Sequence, residues 1–498
     1  MRVGMGGRAI SIAFAALTGC ATVPRTFQCP TAGGPPWRQL ASERFILRTD
    51  LAAVEAGELL GRVERLRAAV VAGLPGGAPE PSGRVEIIAF RTLEEFRPFA
   101  PENALGYYVR YEGGPPRIVV PGELGPWQRA MLAHELSHDL LAGAYKRQPR
   151  WFAEGLAVYM ESVEEGAQGT RVTVGMPSKL RFERARKSSV PVRELLVWDG
   201  TPALHPGVDY YASAWLLVHW LVHARPEAFA EIRRHLVQGG EPEVAWRTAL
   251  PEYDPASEGS LERLDAVLAA YVKGKLGTST RDAEAVPVVG YFEQPLATPE
   301  VHAVRLAIWQ FRAKKTEAEL RSEVRETLEE DGSHPIALEY LGVLDRQDPA
   351  PLARLAVAGH PADARAYTFL ARSLTGPEDG SEREAAYRRA LALSPRNPAA
   401  YLNLGQELRA SGRPAEALPL VRQAAHLAPW STQVLAGYAA VLADLGRCDE
   451  ADAAERSAMD AMPERSTGEE RRNIQERLRS LTGQCRAGPA AGPGGGAP

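Results

Sequence analysis

Apolar positions change their spacing along this chain. Phe45-Ile46-Leu47 reads as a short strand, whereas Leu51 to Val71 carries apolar residues at the three- and four-residue intervals of a helix face, until Gly73, Pro75 and Gly76 stop it. Val85 to Phe90 predicts a second strand. Leu105 to Tyr111 and Arg117 to Val120 flank the turn-rich Glu112-Gly113-Gly114-Pro115-Pro116, which predicts a hairpin. Its prolines, with Pro121, place Arg117 to Val120 at a sheet edge, because proline cannot donate to a ladder. From Trp127 onward the pattern is helical almost to the end, with loops near Gly166 to Lys179 and Gly200 to Gly207. The expected fold class is α+β: a small sheet followed by helices.

The C-terminal third repeats itself. Pro361, Pro395, Pro429 and Pro463 recur at 34 residues, as do Tyr367 and Tyr401, Leu370 and Leu404, Gly412 and Gly446, and Ala417 and Ala451. That period, with Tyr387 to Pro398 as its clearest stretch, resembles tetratricopeptide helix pairs, in which alanine lets paired helices approach and proline ends the second helix. Two repeats are clear, a third flanks them on the N-terminal side, and Val301 to Leu344 reads as a degenerate start. The concave face of such a solenoid is a candidate site for a protein partner, with a spacer or packing support as the alternative.

Composition narrows the function classes. Hydrophobic residues make up 45% of the 498 and charged residues 24%, and the formal net charge is -4 with no block of like charge, so nucleic acid is a poor partner. Arg2 and Arg8 precede an apolar run from Ala9 to Leu17, too short to span a bilayer and suited to a secretory signal. Leu17-Thr18-Gly19-Cys20 resembles the bacterial lipobox, which implies cleavage before Cys20, a lipid on its thiol and residence in the cell envelope. Ala21 after the cysteine favours the outer membrane, facing the periplasm. Cys29 to Pro36 reads as part of a flexible tether, and Cys448 and Cys485 are an open possibility for a disulfide.

The chemistry lies in Met131 to His138, which contains His134-Glu135-Leu136-Ser137-His138. Two histidines four apart fall on one helix face, where their imidazoles can grip one zinc ion, and Glu135 beside the first is placed to take a proton from a metal-bound water. Gly143 and Pro149 end that helix, and Pro149 to Tyr159 opens a second one that offers Glu154 as third ligand, leaving a fourth position for water.

Trp151-Phe152-Ala153-Glu154-Gly155-Leu156-Ala157 after His-Glu-x-x-His resembles the gluzincin pattern, and in particular the peptidase MA-like family, over about residues 45 to 272. The resemblance implies a zincin-like metallopeptidase domain with zinc held by His134, His138 and Glu154, and Glu135 as general base. Four residues past Glu154 stands Val158, so no carboxylate there orients a ligand histidine, and Asp139 is the weak remaining candidate. Tyr210-Tyr211-Ala212-Ser213 resembles the start of the family's later helix, which makes Tyr211, with Tyr210 as alternate, a candidate oxyanion donor. His219 and His223, also four apart, lack the adjacent glutamate and read as helix-surface or core histidines. Trp151 and Phe152 read as core, and Arg117 to Val120 as an edge for an extended peptide substrate.

The expected division is a signal peptide over 1–19, a tether over 20–40, the metallopeptidase domain over 41–275, a linker over 276–300, tetratricopeptide-like repeats over 301–483 and a disordered tail over 484–498. The expected function is a lipid-anchored zinc metallopeptidase of the envelope acting on a peptide or protein; the alternative is a tetratricopeptide adaptor or assembly lipoprotein whose metal domain is structural or silent.

Overall fold

The computed structural model describes residues 28–77, 83–100, 104–109, 115–122, 124–166, 169–176, 178–199, 205–283, 290–309, 316–462 and 468–487. Residues 1–19 and Cys20, and with them the signal-peptide and lipidation readings, lie outside the described residues. Among the described residues no helix is long and apolar enough to cross a membrane.

A six-stranded sheet organises the first part of the chain. It is built from β1 (Trp37–Ala41), β2 (Phe45–Thr49), β3 (Val85–Phe90), β4 (Tyr107–Val109) and β5 (Arg117–Pro121), with α1 (Ala53–Gly73) and the short α2 (Leu93–Phe96) between them. β2, β3 and β5 run parallel, while β4 on β5 and β1 on β2 are antiparallel. Parallel strands need both faces covered, which is why β3 is apolar at nearly every position. Ile87, Ala89, Ile118 and Val120 pack under α1 and the helices that follow β5; Ile88, Phe90, Val119 and Tyr107 face a second core with Phe96, Phe99 and Trp309.

Next come α3 (Pro126–Ala144), α4 (Arg150–Met160), β6 (Glu164–Glu165), β7 (Arg171–Val174), α5 (Lys179–Lys187), α6 (Val192–Leu196), α7 (Gly207–Ala224), α8 (Pro226–Gln238), α9 (Pro242–Ala249), α10 (Ser260–Tyr271), β8 (Ser279–Asp282) and β9 (Phe292–Leu296). β6, β7 and β8 form a small antiparallel sheet, whose β7 falls where a loop was expected.

Three expectations are corrected. The large sheet runs β4-β5-β3-β2-β1-β9, so β5 is paired on both sides and the edge on that side is β4. Pro121 sits at the end of β5, where it interrupts nothing, so the proline signal misplaced the edge. Residues 37–40 belong to β1 rather than to a tether, because Trp37 and Leu40 are buried. Upstream, Pro30–Ala32 form a helical turn whose Thr31 hydroxyl donates to Glu330 at 2.9 Å. The expected linker contains β9, which pairs along all of β1, and β8, which pairs with β7.

The helical array runs from Thr298 to Ala487, close to the expected 301–483. It comprises α11 (Thr298–Ile308), α12 (Glu317–Glu330), α13 (Pro335–Asp345), α14 (Pro349–Gly359), α15 (Ala364–Ser373), α16 (Gly380–Leu393), α17 (Pro398–Ala410), α18 (Pro414–Leu427), α19 (Thr432–Asp444), α20 (Cys448–Asp460) and the closing α21 (Gly468–Ala487). Among the described residues these are five helix pairs plus a terminal helix, and the last three pairs, starting at Ala364, Pro398 and Thr432, keep the 34-residue tetratricopeptide period. A Cβ on Gly405 would come within 2.4 Å of Val421 Cγ1, so glycine is what lets α17 and α18 close. Cys448 and Cys485 are joined as a disulfide that ties α20 to α21. Residues 484–487 form the last turn of α21 instead of a disordered tail, and 488–498 lie outside the described residues.

The solenoid docks at both ends. α11 covers the second face of the large sheet through Val301, Val304, Ile308 and Trp309, so the first repeat is part of the sheet's core. Arg117 donates to the Ala307 carbonyl at 3.1 Å while pairing with buried Glu86. α20 returns to the turn between α3 and α4.

Candidate metal centre

Pro126 in the first turn of α3 has its φ already set for a helix and no amide hydrogen to leave unpaired there. One turn apart on that helix, the Nε2 atoms of His134 and His138 lie 3.2 Å from each other. α4 brings Glu154, whose Oε2 is 3.3 Å from both. Bonds of about 2.0 to 2.1 Å at the tetrahedral angle put zinc ligand atoms about 3.3 to 3.4 Å apart, so the three atoms have the spacing of three corners around one ion. Glu154 Oε2 is buried with only the two imidazole nitrogens against it, and a buried carboxylate oxygen is stabilised by a cation or donor at that place. The donor set fits zinc. It is the only group of three metal-ligating side chains that converges in this way among the described residues.

Electrostatics agree with the geometry. Burial alone would lower the His134 imidazole, but Glu154 and Glu161 against its two nitrogens outweigh it and raise it to about 10. Burial would likewise raise Glu154, yet His138, His134 and Arg150 hold it well below the usual carboxylate range. The pocket is therefore built around positive charge.

The close approach of α4 to α7 places the next group. A Cβ on Gly155 would stand 2.5 Å from the Ala214 carbonyl oxygen, so only glycine permits this crossing. Tyr211 lies three residues before Ala214 on the same side of α7, and its ring is 6.3 Å from the His134 ring. Burial first, then Glu154, push the Tyr211 phenol up, which keeps its proton in place. Tyr210 instead turns away to donate to Glu194, so of the two tyrosines only Tyr211 faces the cluster. Glu135 is buried, and its charge acts on both His134 and Tyr211.

The orienting carboxylate is Glu161, which sequence reasoning missed. His134 Nδ1 donates to Glu161 Oε1 at 3.1 Å, which turns Nε2 toward the cluster, where a metal ion would take the place of its proton. Arg181 donates to the same Glu161 oxygen at 3.0 Å and lies over the Tyr211 ring at 5.2 Å. Glu161 follows Glu154 by seven residues, two helical turns, so a search extended past Val158 reaches it. Asp139 accepts from the Tyr108 hydroxyl at 2.7 Å, which fastens α3 to β4. His219 is held by the Tyr271 hydroxyl at 2.8 Å and the Gly277 carbonyl at 3.0 Å, and His223 contacts Tyr159 at 3.1 Å; this pair is a core network. Trp151 and Phe152 are buried in the main core.

A family model described as a protein of unknown function (DUF1570) matches residues 128–239, which hold His134, Glu135, His138, Glu154, Glu161 and Tyr211. No curated protein matches the chain. Among solved structures it is similar to a TPR protein of Thermus thermophilus, at 19% identity over 37% of this chain and 96% of that one, with a TM-score of 0.28. It is also similar to YrrB, a TPR protein with an unusual peptide-binding site, at 18% identity over 33% and 93%, with a TM-score of 0.26. A third, PilF of Pseudomonas aeruginosa, matches at 17% identity over 37% and 83%, with a TM-score of 0.30.

Proposed function

We propose that this chain is a zinc metallopeptidase of the bacterial cell envelope. The reading is carried by the mutual spacing of the His134, His138 and Glu154 donor atoms, 3.2 to 3.3 Å, beside a buried glutamate in the motif position of a general base. Zinc would be held by those three side chains and would supply a Lewis acid that brings the pKa of water to about 7. Glu135 takes the proton of the attacking water and passes it to the leaving amine. Tyr211, still protonated, donates to the oxyanion that forms as the peptide carbonyl is attacked. Glu161 fixes the His134 tautomer, and Arg181 keeps Glu161 charged. The lipobox-like Leu17 to Cys20 supports attachment to the membrane by a lipid on Cys20, and the Cys448–Cys485 disulfide agrees with an oxidising compartment.

Purified full-length protein is expected to bind one equivalent of zinc and to cleave peptides in a chelator-sensitive manner. Glu135→Gln should retain the metal and lose cleavage. No zinc uptake under replete conditions would end this reading.

The five helix pairs support a second, compatible role, docking of a protein partner or substrate on the solenoid. Capture of the same envelope protein by wild type and Glu135→Gln, with no turnover of peptides by either, would favour that adaptor role over catalysis.

A further inference from the structure

We propose that the last repeat of the solenoid acts on the metal centre, with Asp460 of α20 as a positioning residue for Glu154. This inference rests on the zinc reading above. Both histidines ride on α3 and the glutamate on α4, and only residues 145–149 join the two helices. The relative placement of the three ligand atoms therefore depends on how that turn is held.

Three consecutive residues of the turn are held by α20. Asp460 Oδ2 accepts from Arg147 Nε at 2.7 Å and from the Gln148 backbone amide at 2.9 Å, and the Ser457 hydroxyl donates to the Lys146 carbonyl at 2.9 Å. Glu241, at the start of α9, extends the clamp: it accepts from Arg147 at 2.7 Å and pairs with Arg456 at 3.2 Å. These partners are more than 300 residues from the turn in sequence, apart from Glu241. The Arg147–Asp460 pair is mostly buried, at 12% and 17% side-chain exposure, so it is screened less than a surface pair.

A second observation points the same way. Asp460 is the final residue of α20, where the negative end of the helix dipole disfavours a carboxylate. Its position is unfavourable for α20 itself and is compensated by Arg147 and the Gln148 amide. The contact with the turn, not the stability of α20, accounts for an acid there.

A helix moves as a rigid unit, so a shift of Gln148 is carried to Glu154 on the next helix, and metal sites tolerate only about 0.2 Å of error in ligand distance. Coupling of this kind is reciprocal: if α20 favours the zinc-binding arrangement, zinc must favour the docked α20. Anything that bends the solenoid, including a bound partner, then alters metal affinity.

The test uses the full-length chain and zinc alone. Zinc affinity is measured by competition with a chromophoric chelator for wild type and Asp460→Ala, and backbone hydrogen exchange of residues 145–149 and 448–460 is followed in wild type with and without zinc. The expected results are about tenfold weaker zinc binding in Asp460→Ala, within the usual range of site-to-site coupling, and slower exchange in both segments of wild type when zinc is added. Unchanged affinity in a folded Asp460→Ala, or exchange of 448–460 that ignores zinc, would overturn the proposal; if the variant does not fold, the wild-type exchange decides. Wild type that takes up no zinc removes the metal-centre reading and this inference together, whereas normal uptake without coupling removes only the inference.

Discussion

Glu161 and His134, 27 residues apart, meet at 3.1 Å, with the imidazole Nδ1 donating to the carboxylate. That bond selects the tautomer whose Nε2 points at His138 and Glu154, and Arg181 holds the carboxylate in turn. Glu161→Gln keeps the shape but removes the charge, and is expected to weaken zinc binding by about 10- to 100-fold. Chelator competition checks it; an unchanged dissociation constant would show that Glu161 only anchors Arg181.

Tyr211 and Tyr210 make opposite predictions. Tyr211→Phe is expected to leave zinc bound and lower kcat by about 10²- to 10³-fold, the loss typical of one oxyanion donor. Tyr210→Phe removes the hydroxyl bonded to Glu194 and should lower stability with little effect on kcat. Peptidase kinetics and thermal unfolding of both variants separate the roles.

Gly155→Ala drives a methyl group to 2.5 Å from the Ala214 carbonyl oxygen. Backbone cannot yield as a side chain tip does, so α4 must move off α7, at a cost of about 1 to 3 kcal/mol. Because Glu154 is the adjacent residue, zinc affinity should fall with stability. A variant as stable as wild type with full zinc affinity would contradict the close crossing of these helices.

Burial, then the nearby His223, push His219 down to about 4 from an ordinary 6.5. The unfolded chain thus binds this proton first. The stability tied to the neutral imidazole is complete above pH 6.5 and is lost as the pH falls toward 4, by up to about 3 kcal/mol. Urea unfolding of wild type between pH 7 and 5 should show a steeper loss than that of His219→Gln, and parallel losses would refute the assignment.

The His134–His138 pair was legible because both partners lie one turn apart on a single helix, and Glu154 because its helix follows after one short turn. Glu161 was not, since four residues past Glu154 the chain offers Val158 and the orienting carboxylate waits three residues further on. Asp139, adjacent to His138, faces away toward Tyr108. β1 and β9 looked like tether and linker because each is short and flanked by proline or glycine; their strand character arises from pairing with each other across some 250 residues.

Local order therefore came from the chain alone: helix periodicity, the 34-residue repeat and two imidazoles on one face are all set by spacing within a turn or two. Contacts between segments far apart in sequence were decided only by packing. The edge position of β4, the α11 cover on the sheet, the Gly155 crossing that brings Tyr211 to His134, and the return of Asp460 to Arg147 all depend on which buried surfaces fit together. No short stretch of sequence contains that information, because burial and pairing free energies belong to both partners at once.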